Sequence, residues 1–261
     1  MVVPIDTCGG DNMNGTLFQL ARLVSYVRTS LNSGSVAQFP LSNAEDSIIY
    51  KSAYGDTISS SEEWVKALGE RKLKHIFLLI DVAQNNREHA GFANGERQSI
   101  ITIFPDNRVT YWTPFWEFDK PKGKWTITYT EQIWENAPRG VPTFGSKIEA
   151  FKNVLKDIAE LAGKIKCEGF KNTFLEAYSI LAGSDEPALP EWMADTIPAI
   201  EPEKLRMFLA ASKADVFGGM GSWNDSPPYM AHKKGLSREY DTLSQELYVQ
   251  TREAVMFAVN S

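Results

Sequence analysis

The stretch Lys124-Trp125-Thr126-Ile127-Thr128-Tyr129-Thr130-Glu131 alternates large apolar side chains with threonines. In an extended chain successive side chains point to opposite faces, so this pattern predicts a strand that is apolar on one side and polar on the other. That is the pattern of an antiparallel sheet wet on one face. Trp125, Ile127 and Tyr129 should face the interior, and Thr126, Thr128 and Thr130 should face water or a partner. Working outward, Lys120-Pro121-Lys122-Gly123 and Asp106-Asn107 supply tight turns. They join this strand to strands over 108–115 and 98–104, making an antiparallel meander. Upstream, Ile76-Phe77-Leu78-Leu79-Ile80 is a continuous apolar run, which predicts a central strand covered on both faces.

Around these strands the apolar residues recur at helical spacing. Leu17, Leu20, Ala21, Val24, Val27 and Leu31 form one face of a helix over 16–31, with Thr16 and Gln19 as a capping box. Ser60 with Glu63 opens a short helix through Trp64, Ala67 and Leu68, closed by Gly69. Composition changes at Ala137-Pro138-Arg139-Gly140-Val141-Pro142, and almost everything beyond reads as helix. Ser146 with Glu149 forms a third capping box ahead of the stripe Ile148, Phe151, Leu155, Ile158, Ala162 and Ile165. Phe170, Phe174, Ala177, Tyr178 and Leu181 make the next helix, ended by Gly183. Pro202 suits a first turn. The last helix starts near Ser237 and buries Leu236, Tyr240, Leu243, Leu247, Ala254 and Ala258. The fold class is therefore α+β. An antiparallel sheet of about four strands with flanking helices occupies 1–143, and an antiparallel helical bundle occupies 144–261, as two regions or one composite domain.

Hydrophobic residues make up 43% of the 261 and charged residues 23%, the balance of a globular chain. Acidic residues outnumber basic ones, 33 to 27, for a net charge of -6. That surplus argues against nucleic acid or an anionic membrane as partner. Cys8 and Cys167 are too few and too separated for a cysteine-built zinc site, and they are not expected to bond to each other. With no signal peptide and no long apolar run, the expectation is a cytoplasmic protein without a bound cofactor.

Three features carry candidate chemistry. The loop after the apolar run contains Asp81, Arg87 and His89, followed by Gly91 and Gly95; a carboxylate beside an imidazole can do acid–base work, while the simpler reading is a solvated loop. Cys8-Gly9-Gly10-Asp11 is a faint anion loop that lacks the lysine of a P-loop. Tyr111, Trp112, Phe115, Trp116, Phe118, Trp125, Tyr129 and Trp134 form an aromatic cluster, best explained by core packing plus one partner-facing patch.

The most distinctive segment is Phe217-Gly218-Gly219-Met220-Gly221-Ser222-Trp223-Asn224-Asp225, with His232 beyond it. Ser222, Asn224, Asp225 and His232 are compact hydrogen-bonding groups beside Trp223, and together they form the leading candidate site for a ligand or partner. As structure alone, the glycines make a turn between helices and Trp223 is a hydrophobic plug. The loop resembles one found in uncharacterised bacterial protein families, where glycines precede serine, an aromatic, asparagine and aspartate. The resemblance covers roughly the last third of the chain and implies no activity.

No catalytic motif is complete, aromatics are abundant and the charge is acidic. The leading expectation is a bacterial, intracellular protein-binding module of immunity or accessory type. The alternative is a hydrolase acting on a small or nucleotide-like substrate near residues 218–225.

Overall fold

A computed structural model describes residues 15–183 and 201–261. The chain is mixed α+β. Its elements run α1 (Gly15–Ser33), β1 (Glu45–Lys51), β2 (Thr57–Ile58), α2 (Ser61–Glu70), β3 (His75–Ile80), α3 (Gln84–Arg87), β4 (Gln98–Ile103), β5 (Val109–Asp119) and β6 (Lys124–Ile133). Then follow α4 (Ile148–Lys164), α5 (Glu168–Ala182), α6 (Pro202–Ala214), α7 (Pro227–Lys233) and α8 (Ser237–Asn260).

The expected meander is present: β4, β5 and β6 pair antiparallel in sequence order, with Trp112 opposite both Ile100 and Glu131. Its turns are tight because Asn107 and Gly123 adopt left-handed backbone at φ 61° and 64°. The sheet is larger than expected, however, and not purely antiparallel. Its order is β2-β1-β6-β5-β4-β3, six strands, with β1 parallel to β6. The sequence Glu45-Asp46-Ser47-Ile48-Ile49-Tyr50-Lys51 has two adjacent isoleucines and hence weak alternation, which hides β1 from a period-two reading.

Among the described residues the apolar run Ile76–Ile80 is an edge strand, not a central one, since there β3 pairs only with β4. It is covered nonetheless. The Asn260 side chain lies along it, its Oδ1 accepting from the Leu78 amide and its Nδ2 donating to the Leu78 carbonyl, both at 2.8 Å. One amide side chain thus reproduces the two bonds a seventh strand would give. An edge is occupied where an unpaired row of donors and acceptors would invite another chain.

The inner face of the sheet carries the core. Trp125, Ile127 and Tyr129 are buried there as expected. Tyr50 on β1 stacks between Trp64 of α2 and Tyr129 of β6, ring centroids 4.4 and 5.5 Å apart, and Trp112 meets both Tyr50 and Trp64 edge-on. Such stacked and edge-to-face pairs add about 0.5–1.5 kcal/mol each beyond area burial. Most of the aromatic cluster is therefore packing. The core continues without a break from α1 through the sheet into α4, α5, α6 and α8. α8 packs on α1, α4, α6 and β3, and its last turns, from Ala254 to Asn260, are buried all round. A helix apolar on every side must be enclosed.

The helix ends differ in part from the sequence reading. Ser60 does cap α2, its Oγ accepting the Glu63 amide at 3.3 Å, but the hydroxyl proton goes to Glu62 rather than Glu63 closing the box. Thr16 lies inside α1, and Gln19 accepts the Tyr129 hydroxyl instead of returning to a cap. α4 starts at Ile148 without a side-chain cap, and Glu149 pairs with Lys152. α2 closes not at Gly69 but through left-handed Lys72, with the Leu73 amide bonding back to the Leu68 carbonyl at 3.0 Å. Cys8 and the loop 8–11 lie outside the described residues; Cys167 is a free thiol whose pKa burial raises.

Candidate functional site

The two candidate loops, distant in sequence, meet in space against α8. Gly91 is left-handed at φ 81°, and a Cβ there would lie 2.5 Å from the Phe217 carbonyl oxygen and 2.6 Å from the Gly218 Cα. Only glycine permits both the backbone angle and that approach. Gly219 in turn rests on the Phe92 ring, 3.3 Å from where its Cβ would be.

In the loop after β3, Asp81 accepts the Ala83 amide at 3.0 Å and stands 3.8 Å from Arg97. Arg87 is buried, 3.9 Å from Asp241 of α8, whereas His89 is exposed. Asn86 organises the loop: its Oδ1 takes the Arg97 amide at 2.9 Å, and its Nδ2 donates to the Asp81 carbonyl and the Tyr248 hydroxyl.

In the loop before α7, Ser222 donates to the Gly218 carbonyl at 2.8 Å and accepts the Asn224 amide at 3.2 Å. Asp225 accepts the Gly221 amide at 2.9 Å, and Gly221 has φ 83°. These short side chains thus tie the loop's own backbone, as serine and aspartate do in turns. Trp223 is fully buried, the plug of the purely structural reading. Its Nε1 donates to Ser244 at 2.7 Å, Phe170 and Phe174 meet it edge-on at 5.2 Å, and Tyr240 stacks on it and donates to its carbonyl. Burial raises the Tyr240 pKa to about 12. His232 lies exposed on α7, and Met220, 99% exposed, forms the tip of the loop.

Beneath both loops is a buried charge network that the sequence reading missed. Arg252 of α8 is fully buried. Its Nε donates to Glu96 Oε1 at 2.7 Å and its Nη2 to Glu96 Oε2 at 3.2 Å, and Nη1 reaches Asp215 at 2.5 Å. The Tyr248 hydroxyl also donates to Glu96 at 2.7 Å. Burial opposes charge on Arg252, but Asp215 and Glu96 outweigh it and raise its pKa. Burial and the Glu96 carboxylate together raise the pKa of Tyr248. The available signal was a single arginine one turn after Tyr248 within a buried helical stripe.

The outer face of the sheet divides in two. Phe77, Ile101 and Ile103 are covered by a small cluster that includes Trp134 and Phe144. Among the described residues nothing covers the part over β5, β6 and β1. Phe115 there is 53% exposed, among Thr113, Glu117, Thr126 and Thr130. Thr128 also faces outward but is 9% exposed, because its ladder neighbours are Phe115 and Ile49.

Among the described residues no group of histidines, cysteines and carboxylates could hold a metal, and no helix is long and apolar enough to cross a membrane. No protein-family model, no curated protein and no solved structure matches the chain.

Proposed function

We propose that this chain is a protein-binding module whose contact surface is the uncovered outer face of β5, β6 and β1. The observation that carries the reading is Phe115, half exposed on a face it shares with Thr113, Thr126, Thr128 and Thr130. An exposed aromatic set among small hydroxylated side chains is the composition of a contact hot spot with a polar surround. The net charge of -6 suits a partner that presents a basic contact face. A bacterial immunity or accessory role is one form such a module takes.

A hydrolase at residues 218–225 is the second reading, and the meeting of the two candidate loops at Gly91 favours it. Against it, the Ser222 hydroxyl donates to a backbone carbonyl rather than to a base, and Asp225 holds a backbone amide. Affinity enrichment from the native cell with wild type, Phe115→Glu and Asp225→Ala separates the two. A protein captured by wild type and Asp225→Ala but lost from Phe115→Glu supports the sheet face. Loss from Asp225→Ala alone, in a folded variant, moves the site to the loop.

A further inference from the structure

The strand registers order the face that carries Phe115 into rows. Directly opposed residues of paired strands share a side of the sheet, so Ile49, Thr128 and Phe115 form one row across β1, β6 and β5. The row to one side is Ser47, Thr126 and Glu117, with the Ser47 and Thr126 hydroxyls 3.4 Å apart. The row to the other side is Lys51, Thr130 and Thr113. Lys51 and Glu117 therefore stand at opposite corners, and the midpoint between them falls at Thr128, in the row of Phe115. With strands ~4.8 Å apart and residues ~3.4 Å apart along each, the two charges are separated by about 17 Å. Both residues are exposed, and among the described residues neither pairs with a neighbouring charge.

The same ladder sets Lys124 opposite Asp119. Lys51 and Lys124 thus balance Glu117 and Asp119, and the face is neutral within a chain of net charge -6. A neutral face with opposite charges at opposite corners is complementary to itself. In a two-fold contact each residue pair occurs twice. An axis lying in the contact plane, crossing the line from Lys51 to Glu117 at Thr128, sets Lys51 of each copy on Glu117 of the other. It also lays the Phe115 row of one copy across that of the second. The net charge repels at long range but is screened beyond about 8 Å at physiological salt, so the local match decides.

We propose that this open face binds a second copy of the chain, in a two-fold dimer centred on Thr128 with a Lys51–Glu117 pair at each end. The proposal rests on the reading of the face as a contact surface and names what meets it. The face spans about 14 Å across the strands and about 17 Å along them, small beside the ~800 Å² per partner of a standard interface. The dimer is therefore weak and forms with rising concentration.

The test is sedimentation velocity of the whole chain from about 1 μM to about 1 mM. Wild type should pass from monomer to dimer within that range, and Phe115→Glu should stay monomeric. Lys51→Glu and Glu117→Lys each set like charges together at both ends, so each should weaken the dimer at least tenfold. Mixed in equal amounts, these two variants should dimerise as wild type does, because only the mixed contact restores both opposite-charge pairs. All three side chains are exposed, so each variant should melt like wild type. A wild type that stays monomeric would overturn the second copy; a different protein crosslinked through position 115 would then still uphold the contact surface, and no crosslink there would sink both. A dimer that survives Phe115→Glu, or a mixture no tighter than either variant alone, would overturn the two-fold contact on this face.

Discussion

Arg252 shows what a single residue decides in this molecule. It sits between two buried carboxylates, Glu96 and Asp215, and its removal takes a buried ion pair from each. Breaking a buried pair in this way costs about 3–5 kcal/mol, a large share of the ~5–15 kcal/mol that holds a domain folded. Arg252→Met should therefore bring the chain close to unfolding in a urea titration, and adding Glu96→Gln and Asp215→Asn should recover part of the loss. A wild-type midpoint for Arg252→Met would show that the network does not lock the loops. Asp225 is the contrasting case. It is exposed and holds one backbone amide, so Asp225→Ala should cost only about 0.5–1.5 kcal/mol, read as a modest drop in melting temperature. Little of this was legible from residue type. Trp223 reads as a hydrophobic plug, but the cage that it fills comes from α5, 49 and 53 residues before it, and from α8, 17 residues after it. Side chains that satisfy a turn and side chains that await a ligand are the same residue types, and only their partners distinguish them.

At the scale of elements, the meander was legible because alternation and turn residues are local signals. β1 was not, because a parallel partner far along the chain leaves no turn to announce it. The place of β3 was equally hidden. Its continuous apolar run reports burial on both faces, and burial by α8 writes the same pattern as burial by another strand. Asn260→Ala tests this arrangement. It leaves the Leu78 amide and carbonyl without their partner, at about 1–3 kcal/mol for each unsatisfied group, and opens the β3 edge. The variant should unfold at lower urea and scatter light on gentle heating; a soluble variant of unchanged stability would contradict the edge-cap role. Gly91→Ala tests the junction of the two loops. With contacts of 2.5 and 2.6 Å to backbone atoms, its Cβ must push the loops apart, so backbone amides of both should exchange hydrogen faster.

Across the whole molecule, several phenols are buried and few can ionise without loss. Burial raises the pKa values of Tyr26 and Tyr240 from near 10 to about 12. A group whose folded pKa is raised contributes stability that is full below the unfolded value and is lost as pH climbs to the folded one. Stability should hold to about pH 10 and fall from there to about 12, with tyrosinate absorbance rising in step with unfolding; tyrosinate forming fully near pH 10 in a folded chain would contradict it. The α+β class was legible from periodicity, because periods of two and 3.6 are written in each segment separately. Which sheet face stays open was not, since that depends on where the segment after β6 lies down. The proposal rests on that open face, and site-specific photo-crosslinking in the native cell tests it most directly. A benzophenone side chain is placed at position 115 in one variant and at position 220, the exposed tip of the glycine loop, in another. The account predicts one dominant protein adduct from position 115 and none from position 220, with the purified adduct protein binding wild type at least tenfold more tightly than Phe115→Glu. Adducts from position 220 alone, or none from position 115, would contradict it.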